Sequence, residues 1–355
     1  MKFRIFKQVP KLIFGENSIE RIDELLPKKK ENDYYVYVID DFFQTKSQII
    51  NSLNVENNDH LIYFPATKKE PTTDQIDDYK QKILKKYLNK LPIAVIGIGG
   101  GSSMDVAKAI SVMLCNDGSS SEYQGWDLPK NEGVYKVGIP TIAGSGSEAS
   151  RTAVLMGKDR KFGINSDYSM FNAIILDSNL IKSVPKDQRF YSGMDCYIHC
   201  VESLEGTMIN ELSKGIADKA LSLCTNVFTK NSKNDMLITA SYLGGVSIVN
   251  SEVGICHALS YGLSLELDYR HGYANCIVFN VLQEYYGEHV SLFKEMLLDH
   301  DITLPINVCS SLNDAAIERM VDMTLLMDRP LTNALGNNWR EILTRDKIRD
   351  LYLAM

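Results

Sequence analysis

Residues 92–110 read PIAVIGIGGGSSMDVAKAI. The run IAVIGI has the apolar, β-branched composition of a strand buried on both faces, and it ends in three consecutive glycines, Gly99, Gly100 and Gly101. A helix is predicted to start near Ser102. Glycines at a strand-to-helix turn let the backbone come close to a phosphate, while the helix N-terminus offers unpaired N–H groups and partial positive charge. The spacing departs from the GxGxxG fingerprint, because Ser102 stands where the last glycine would fall. Ser102 and Asp105 also fit the S-x-x-D capping pattern, so a tight turn with a capped helix is the plainer alternative.

Working outward, residues 34–40 (YYVYVID), 59–65 around LIYF and 137–140 (VGIP) read as further buried strands. Helical spacing over 74–91 and 104–114 separates them. Strands alternating with helices imply βαβ units and a parallel sheet. Beyond 184–187 (VPKD) the pattern turns to long helical periodicity. The expectation is an α/β dinucleotide-binding domain over residues 1–187 and an all-helical, metal-binding domain over 188–355. With no linker or repeat, the two are expected to pack closely around a cleft. A second loop of small residues, 140–148 (PTIAGSGSE), also follows a strand, and open α/β sheets bind ligands at such ends. Asp40 ends the strand YYVYVID, where a carboxylate accepts hydrogen bonds from ribose hydroxyls and repels a 2′-phosphate, favouring NAD over NADP. Asp40 and Asp41 opening a turn is the competing reading.

Composition narrows the function. A chain of 355 residues with 45% hydrophobic content suffices for two folded domains. A formal charge of -7 argues against nucleic acid and against anionic membrane surfaces as partners. The N-terminal MKFRIFKQVPKLIFG alternates charged and apolar residues, unlike a signal peptide, and no apolar run is long enough to span a bilayer. Seven cysteines, an odd number in a large chain, suit reduced thiols and a cytoplasmic setting.

Three of the six histidines fall in two segments, GMDCYIHCVES (193–203) and GICHALSYGLSLELDYRHGYANC (254–276). Asp195 and His199 are spaced i, i+4, so on a helix they share a face and can chelate one ion. His257 and His271 would lie about 21 Å apart on an unbroken helix, so sharing a metal requires a break near Asp268, Tyr269 and Arg270. Three imidazoles and a carboxylate suit Fe2+ or Zn2+ better than Mg2+ or Ca2+. Cys196, Cys200, Cys256 and Cys276 adjoin these residues; on a helix the first two point about 100° away from Asp195 and His199, and buried inert thiols are the favoured reading over a zinc-thiolate site.

Taken in order, GGGSSMDVAKAI, TIAGSGSE, GMDCYIH and the His257/His271 pair resemble the iron-containing alcohol dehydrogenase superfamily along nearly the whole chain. The resemblance implies that Gly99, Gly100, Gly101, Ser102, Asp105, Thr141, Ser145 and Lys161 contact the dinucleotide. It also implies Asp195, His199, His257 and His271 as metal ligands, through which the chemistry runs. One departure stands out: Tyr261 occupies a position where alcohol-oxidising members commonly carry a further histidine. YQGWDLPK (123–130), SEASRTAVLMG (147–157), INSDY (164–168) and GMDCYIHCVESLEGT (193–207) resemble more closely the 3-deoxy-α-D-manno-octulosonate (Kdo) 8-oxidase family. That resemblance implies oxidation of a sugar acid's terminal alcohol for 8-amino-Kdo and lipopolysaccharide biosynthesis, with a PLP aminotransferase as pathway partner. Arg151, just after the second loop, is the expected partner of the substrate carboxylate. A homodimer is compatible with the sequence; the alternative activity is that of a generic NAD-dependent alcohol or diol dehydrogenase or a lactaldehyde reductase, and the alternatives of another class are a cyclase like dehydroquinate synthase, on the same fold, or a non-catalytic binding protein.

Overall fold

The computed structural model describes residues 5–45, 49, 52–66, 70–230 and 232–355. The chain divides into two compact units, each with its own core. One comprises Gln8–Ile142 and Ser147–Ser183 and holds every strand among the described residues. In chain order these are β1 (Lys11–Phe14), β2 (Tyr35–Asp40), β3 (His60–Phe64), β4 (Ala94–Gly99), β5 (Gly125–Trp126), β6 (Lys136–Pro140), β7 (Thr152–Met156), β8 (Lys161–Asn165) and β9 (Ala173–Leu176).

Six of them form a parallel sheet in the order β1-β9-β6-β4-β2-β3. Every residue of β2, β4 and β9 is buried, which is why these strands read as unbroken apolar runs. The order reverses at β2: the chain steps outward to β3, then crosses back to β4 on the other side. The ends of β2 and β4 therefore flank a topological switch point, where the connecting loops diverge and leave a crevice. A smaller sheet, β5-β8-β7, lies outside the strands read from the sequence, since β8, its central strand, is not a continuous apolar run; β7 and β8 pair antiparallel around the 157–160 turn.

Helix α1 (Thr73–Lys86) starts with a reciprocal box between Thr72 and Gln75. It stops at Lys86, short of the expected 91, because Leu88 and Asn89 adopt left-handed backbone with φ of 52° and 63°. Helix α2 (Gly101–Met113) begins one residue before the expected start. The Ser102/Asp105 capping pair does not form: Gly100 is the N-cap and no side chain caps it. Asp105 is instead turned inward, where its two oxygens accept from Ser147 Oγ at 2.6 Å and Val154 N at 3.1 Å, with Lys108 Nζ 3.1 Å away.

The other unit comprises Val184–Met355 together with residues 5–7 and Ala143–Gly146, so two short stretches from the first half of the chain cluster with the helical unit. Its helices are α3 (Lys186–Leu204), α4 (Glu211–Thr229), α5 (Asn234–Asn250), α6 (Ile255–Leu267), α7 (His271–Asn280), α8 (Gln283–Asp299), α9 (Asp314–Leu325), α10 (Asp328–Leu335), α11 (Trp339–Ile342) and α12 (Arg345–Leu353). Helix α3 packs on α4, α5 and α7, and is buried almost all round from Ser192 to Ser203, as a central helix must be. Among the described residues no helix is long and apolar enough to cross a membrane.

Candidate metal centre

The helical unit places a carboxylate and three imidazoles at one point. Asp195 and His199 project from one face of α3. His257 lies in the first turn of α6, which ends at Asp268 in the left-handed conformation (φ 53°, ψ 29°), and α7 begins at His271. The chain thus turns back at 268–270, so fourteen residues of separation shrink to a ring contact, with the His257 and His271 centroids 5.2 Å apart. One donor atom from each of Asp195, His199, His257 and His271 falls within 4.8 Å of the others. From Asp195 Oδ1 the imidazole Nε2 atoms lie at 3.6 Å (His199), 3.3 Å (His257) and 3.6 Å (His271).

Two residues that the sequence reading passed over complete the cluster. Glu202, wholly buried, holds His257 Nδ1 with Oε2 at 2.5 Å, while its Oε1 accepts from Cys256 N at 2.6 Å and Tyr286 Oη at 3.1 Å. The imidazole is thereby fixed with Nδ1–H toward Glu202 and Nε2 toward Asp195, a carboxylate–histidine pairing typical of metal ligands. Asn275 Nδ2 lies 2.7 Å from Asp195 Oδ1, 3.1 Å from His257 Nε2 and 3.3 Å from His271 Nε2. An amide nitrogen has two hydrogens, so it cannot satisfy three acceptors at once, and the surplus of lone pairs is what a cation would neutralise. Helical spacing carried a signal for both: Glu202 is i+3 from His199 on α3, and Asn275 is i+4 from His271 on α7.

Burial and charge act in opposition here. Burial alone would raise the Asp195 carboxyl, yet His199, His271 and His257 hold it well below the usual carboxylate range. Burial likewise works to lower His257, but Glu202 and Asp195 outweigh it and push the imidazole up to about 9. His199, with a weaker set of partners, stays lowered by burial.

The neighbouring thiols point elsewhere. Cys196 and Cys200 are fully buried on α3, and Cys196 Sγ would stand 3.2 Å from a Cβ placed at Gly244 of α5. All seven cysteines are free thiols, and the Asp195/His199/His257/His271 set is the one metal-competent cluster among the described residues. Tyr261 is half-buried with its ring 6.0 Å from that of His271.

In the α/β unit, Gly99 closes β4 with φ 154°, and a Cβ there would meet Ser103 Oγ at 2.5 Å and Asp40 Cβ at 3.0 Å. Only glycine fits this approach. Asp40 is buried beside it at the end of β2 and accepts from Phe42 N at 3.1 Å, so it does open a turn. Gly101 and Ser102 are partly exposed in the first turn of α2, and Thr141 N donates to Gly99 O at 2.9 Å, tying the two small-residue loops together. In the 143–146 stretch of the helical unit, Ser145 is partly exposed between two glycines that cannot be replaced; a Cβ on Gly144 would meet Ser192 O at 1.8 Å and one on Gly146 would meet Gly245 Cα at 2.6 Å.

Three of the expected site residues have charged or polar partners inside the protein. Both oxygens of Asp105 accept hydrogen bonds inside the protein, from Ser147 Oγ and Val154 N, and so tie α2 to the 147–154 stretch. Lys161 is buried on β8 with its Nζ 3.7 Å from Glu70 Oε1. Arg151 pairs with Asp127 and, at 2.8 Å, with Asp167, so two carboxylates of the fold already flank its guanidinium.

Residues 10–178 match the sequence profile of iron-containing alcohol dehydrogenase, and residues 189–326 that of the Fe-containing alcohol dehydrogenase family's C-terminal region. The chain is 28% identical over 280 residues to long-chain-alcohol dehydrogenase 1 of Geobacillus thermodenitrificans, covering 74% of this chain and 69% of that one. It is 33% identical over 198 residues to the sulfoacetaldehyde reductase of Bilophila wadsworthia, where the match spans 53% of this chain and 51% of the relative. Among solved structures, a 1,3-propanediol oxidoreductase superposes with a TM-score of 0.83 at 19% identity over 99% of both chains. The sulfoacetaldehyde reductase of Bifidobacterium kashiwanohense, solved in complex with NAD+, does so with a TM-score of 0.78 at 19% identity over 99% of this chain and 98% of that one. With both profiles matched in order over one fold, the chain belongs to the iron-containing alcohol dehydrogenase family and is an oxidoreductase acting on CH–OH groups.

Proposed function

We propose that the enzyme oxidises the terminal primary alcohol of a sugar acid, Kdo at carbon 8, to the aldehyde, with NAD as hydride acceptor and Fe2+ or Zn2+ held by Asp195, His199, His257 and His271. The convergence of those four donors carries the metal part of the reading. A divalent cation so held supplies Lewis acidity toward a hydroxyl oxygen, lowering its pKa. Glu202 keeps the His257 Nε2 lone pair facing inward, and Asn275 orients Asp195. Tyr261, whose ring lies edge-on to that of His271 with centroids 6.0 Å apart, is the candidate to pass the alcohol proton toward solvent. Support for NAD comes from the switch point between β2 and β4, where Asp40 and the Gly99–Gly101 turn sit side by side, and from the relative solved with NAD+. NADP fits less well beside the Asp40 carboxylate.

Such an aldehyde product is chemically suited to a PLP aminotransferase, consistent with 8-amino-Kdo and lipopolysaccharide biosynthesis in the cytoplasm. β1 is an edge strand with Leu12 and Phe14 exposed at 39% and 52%, which supports a homodimer. A simple alcohol or diol is the second reading, favoured by the long-chain-alcohol and 1-propanol dehydrogenases among the relatives. The deciding experiment loads the protein anaerobically with Fe2+ or Zn2+ and follows NADH and oxygen consumption on Kdo, 1,2-propanediol and 1-propanol. NADH formation on Kdo with at least tenfold higher kcat/KM than on the diols is the expected result. Turnover of diols alone moves the assignment to the second reading, aldehyde formed with oxygen consumed in place of NADH makes oxygen the acceptor, and product formed with neither NADH accumulating nor oxygen consumed points to a cyclase-type cycle.

A further inference from the structure

The Arg151 guanidinium is paired with Asp127 and Asp167, whereas another guanidinium, in the helical unit, has no such partner among the described residues. A pocket of about 280 Å³ in the helical unit is lined by Gln188 and Tyr191 from the start of α3, Asp268, Tyr269 and Arg270 from the α6–α7 turn, and Tyr273 from the first turn of α7. The three tyrosine rings form an edge-to-face chain, Tyr191 to Tyr273 at 5.0 Å and Tyr273 to Tyr269 at 5.2 Å. Arg270 is exposed; its carbonyl accepts from Ala274 N at 2.8 Å, while among the described residues its guanidinium has no ion pair or hydrogen bond. Every other feature of the turn is accounted for by the fold: Asp268 terminates α6 and His271 starts α7.

We infer that Arg270 and this tyrosine-lined pocket form the subsite that takes the carboxylate end of a polyhydroxylated acid. The inference rests on the proposed alcohol oxidation and names its substrate class. The location follows from exposure: the side chain of His271 is 29% exposed, against 3–4% for those of Asp195, His199 and His257, so the cluster opens on the side of His271. Arg270 is the adjacent residue, with Cα atoms about 3.8 Å apart. A planar guanidinium binds a carboxylate through two parallel hydrogen bonds. Sugar carbons present C–H groups that pack on aromatic faces, while Asp268, Gln188 and the phenols offer partners for hydroxyls. Asp268 makes the pocket neutral overall, which suits a ligand carrying both hydroxyls and a charge over a simple anion.

The test measures kcat/KM of metal-loaded enzyme for gluconate and Kdo against the uncharged sorbitol, in wild type, Arg270→Met and Arg270→Lys. Tyrosine fluorescence titrated with gluconate reports binding apart from turnover. Losing one charged, bidentate contact lowers the acid-over-sorbitol ratio by about 10- to 100-fold, chiefly through KM. Arg270→Lys is expected to recover only part of it, since it restores the charge without the fork. An unchanged ratio, or equal losses on acid and sorbitol, overturns the subsite while alcohol oxidation stands. Gluconate quenching that vanishes in Arg270→Met, in a protein that turns over no alcohol, upholds the subsite and overturns the proposed function instead.

Discussion

Glu202→Gln is the substitution that best separates a metal centre from a buried polar cluster. The change is nearly isosteric, so packing is preserved, but the hydrogen-bond ledger cannot be. Wild-type Oε1 accepts from Cys256 N at 2.6 Å and Tyr286 Oη at 3.1 Å, while Oε2 faces His257 Nδ1 at 2.5 Å. If the new amide nitrogen takes the Oε1 place, it confronts the backbone N–H of Cys256, donor against donor. Rotating the amide sets that nitrogen against His257 Nδ1 and forces the proton onto Nε2, the atom that faces Asp195 at 3.3 Å. Either outcome damages the ligand. Changes to such supporting partners typically cost about 10- to 100-fold in metal affinity, or about 1.4–2.7 kcal/mol. Competition of apo-protein against a chromophoric chelator for Zn2+ gives the affinity directly, and the visible spectrum of the Co2+-loaded protein reports altered coordination without any turnover. Glu205→Gln, at the exposed C-cap of α3, serves as the control and is expected to bind as wild type. Equal affinities for Glu202→Gln and wild type, within twofold, would refute the assignment of His257 as a ligand oriented by Glu202.

The remaining predictions concern the scaffold and cofactor choice. Gly144→Ala places a Cβ 1.8 Å from the Ser192 carbonyl at a φ of 154°, so thermal melting should show a severe loss of stability or no soluble protein. Gly215→Ala, inside α4 with nothing within 4 Å, should stabilise by about 0.5–1 kcal/mol in the same assay. Lys136 is buried on β6 and burial lowers its pKa to about 8 from 10.5. The unfolded chain therefore holds the proton more tightly, the penalty is full below pH 8, and stability recovers as pH rises toward 10.5. Lys136→Met should gain at most about 3 kcal/mol in urea unfolding at pH 7, a gain that shrinks steadily above pH 8. A pH-independent difference would count against that account. Asp40→Ala, which removes the carboxylate beside Gly99, should narrow the ratio of NAD to NADP kcat/KM by tenfold or more.

Much was decided by the sequence alone. Fully buried strands such as AVIGIG and YVYVID announce themselves because both faces must be apolar, and a glycine run after one of them marks a sharp turn at the sheet's end. The i, i+4 spacing of Asp195 and His199 likewise encodes a shared helix face, since helical geometry is local. What tertiary structure decided was the company each group keeps. Arg151 has the chemistry of a carboxylate clamp, but Asp127 and Asp167 reach it from other segments of the fold. Asp105 fits a capping pattern, yet its oxygens are claimed by Ser147 and Val154, more than forty residues away. Glu202 and Asn275 matter only because α3, α6 and α7 bring three imidazoles against them. Local periodicity fixes which side of an element a residue occupies; whether its charge is left over for a ligand depends on partners brought close by packing, and those distances are not written in the spacing.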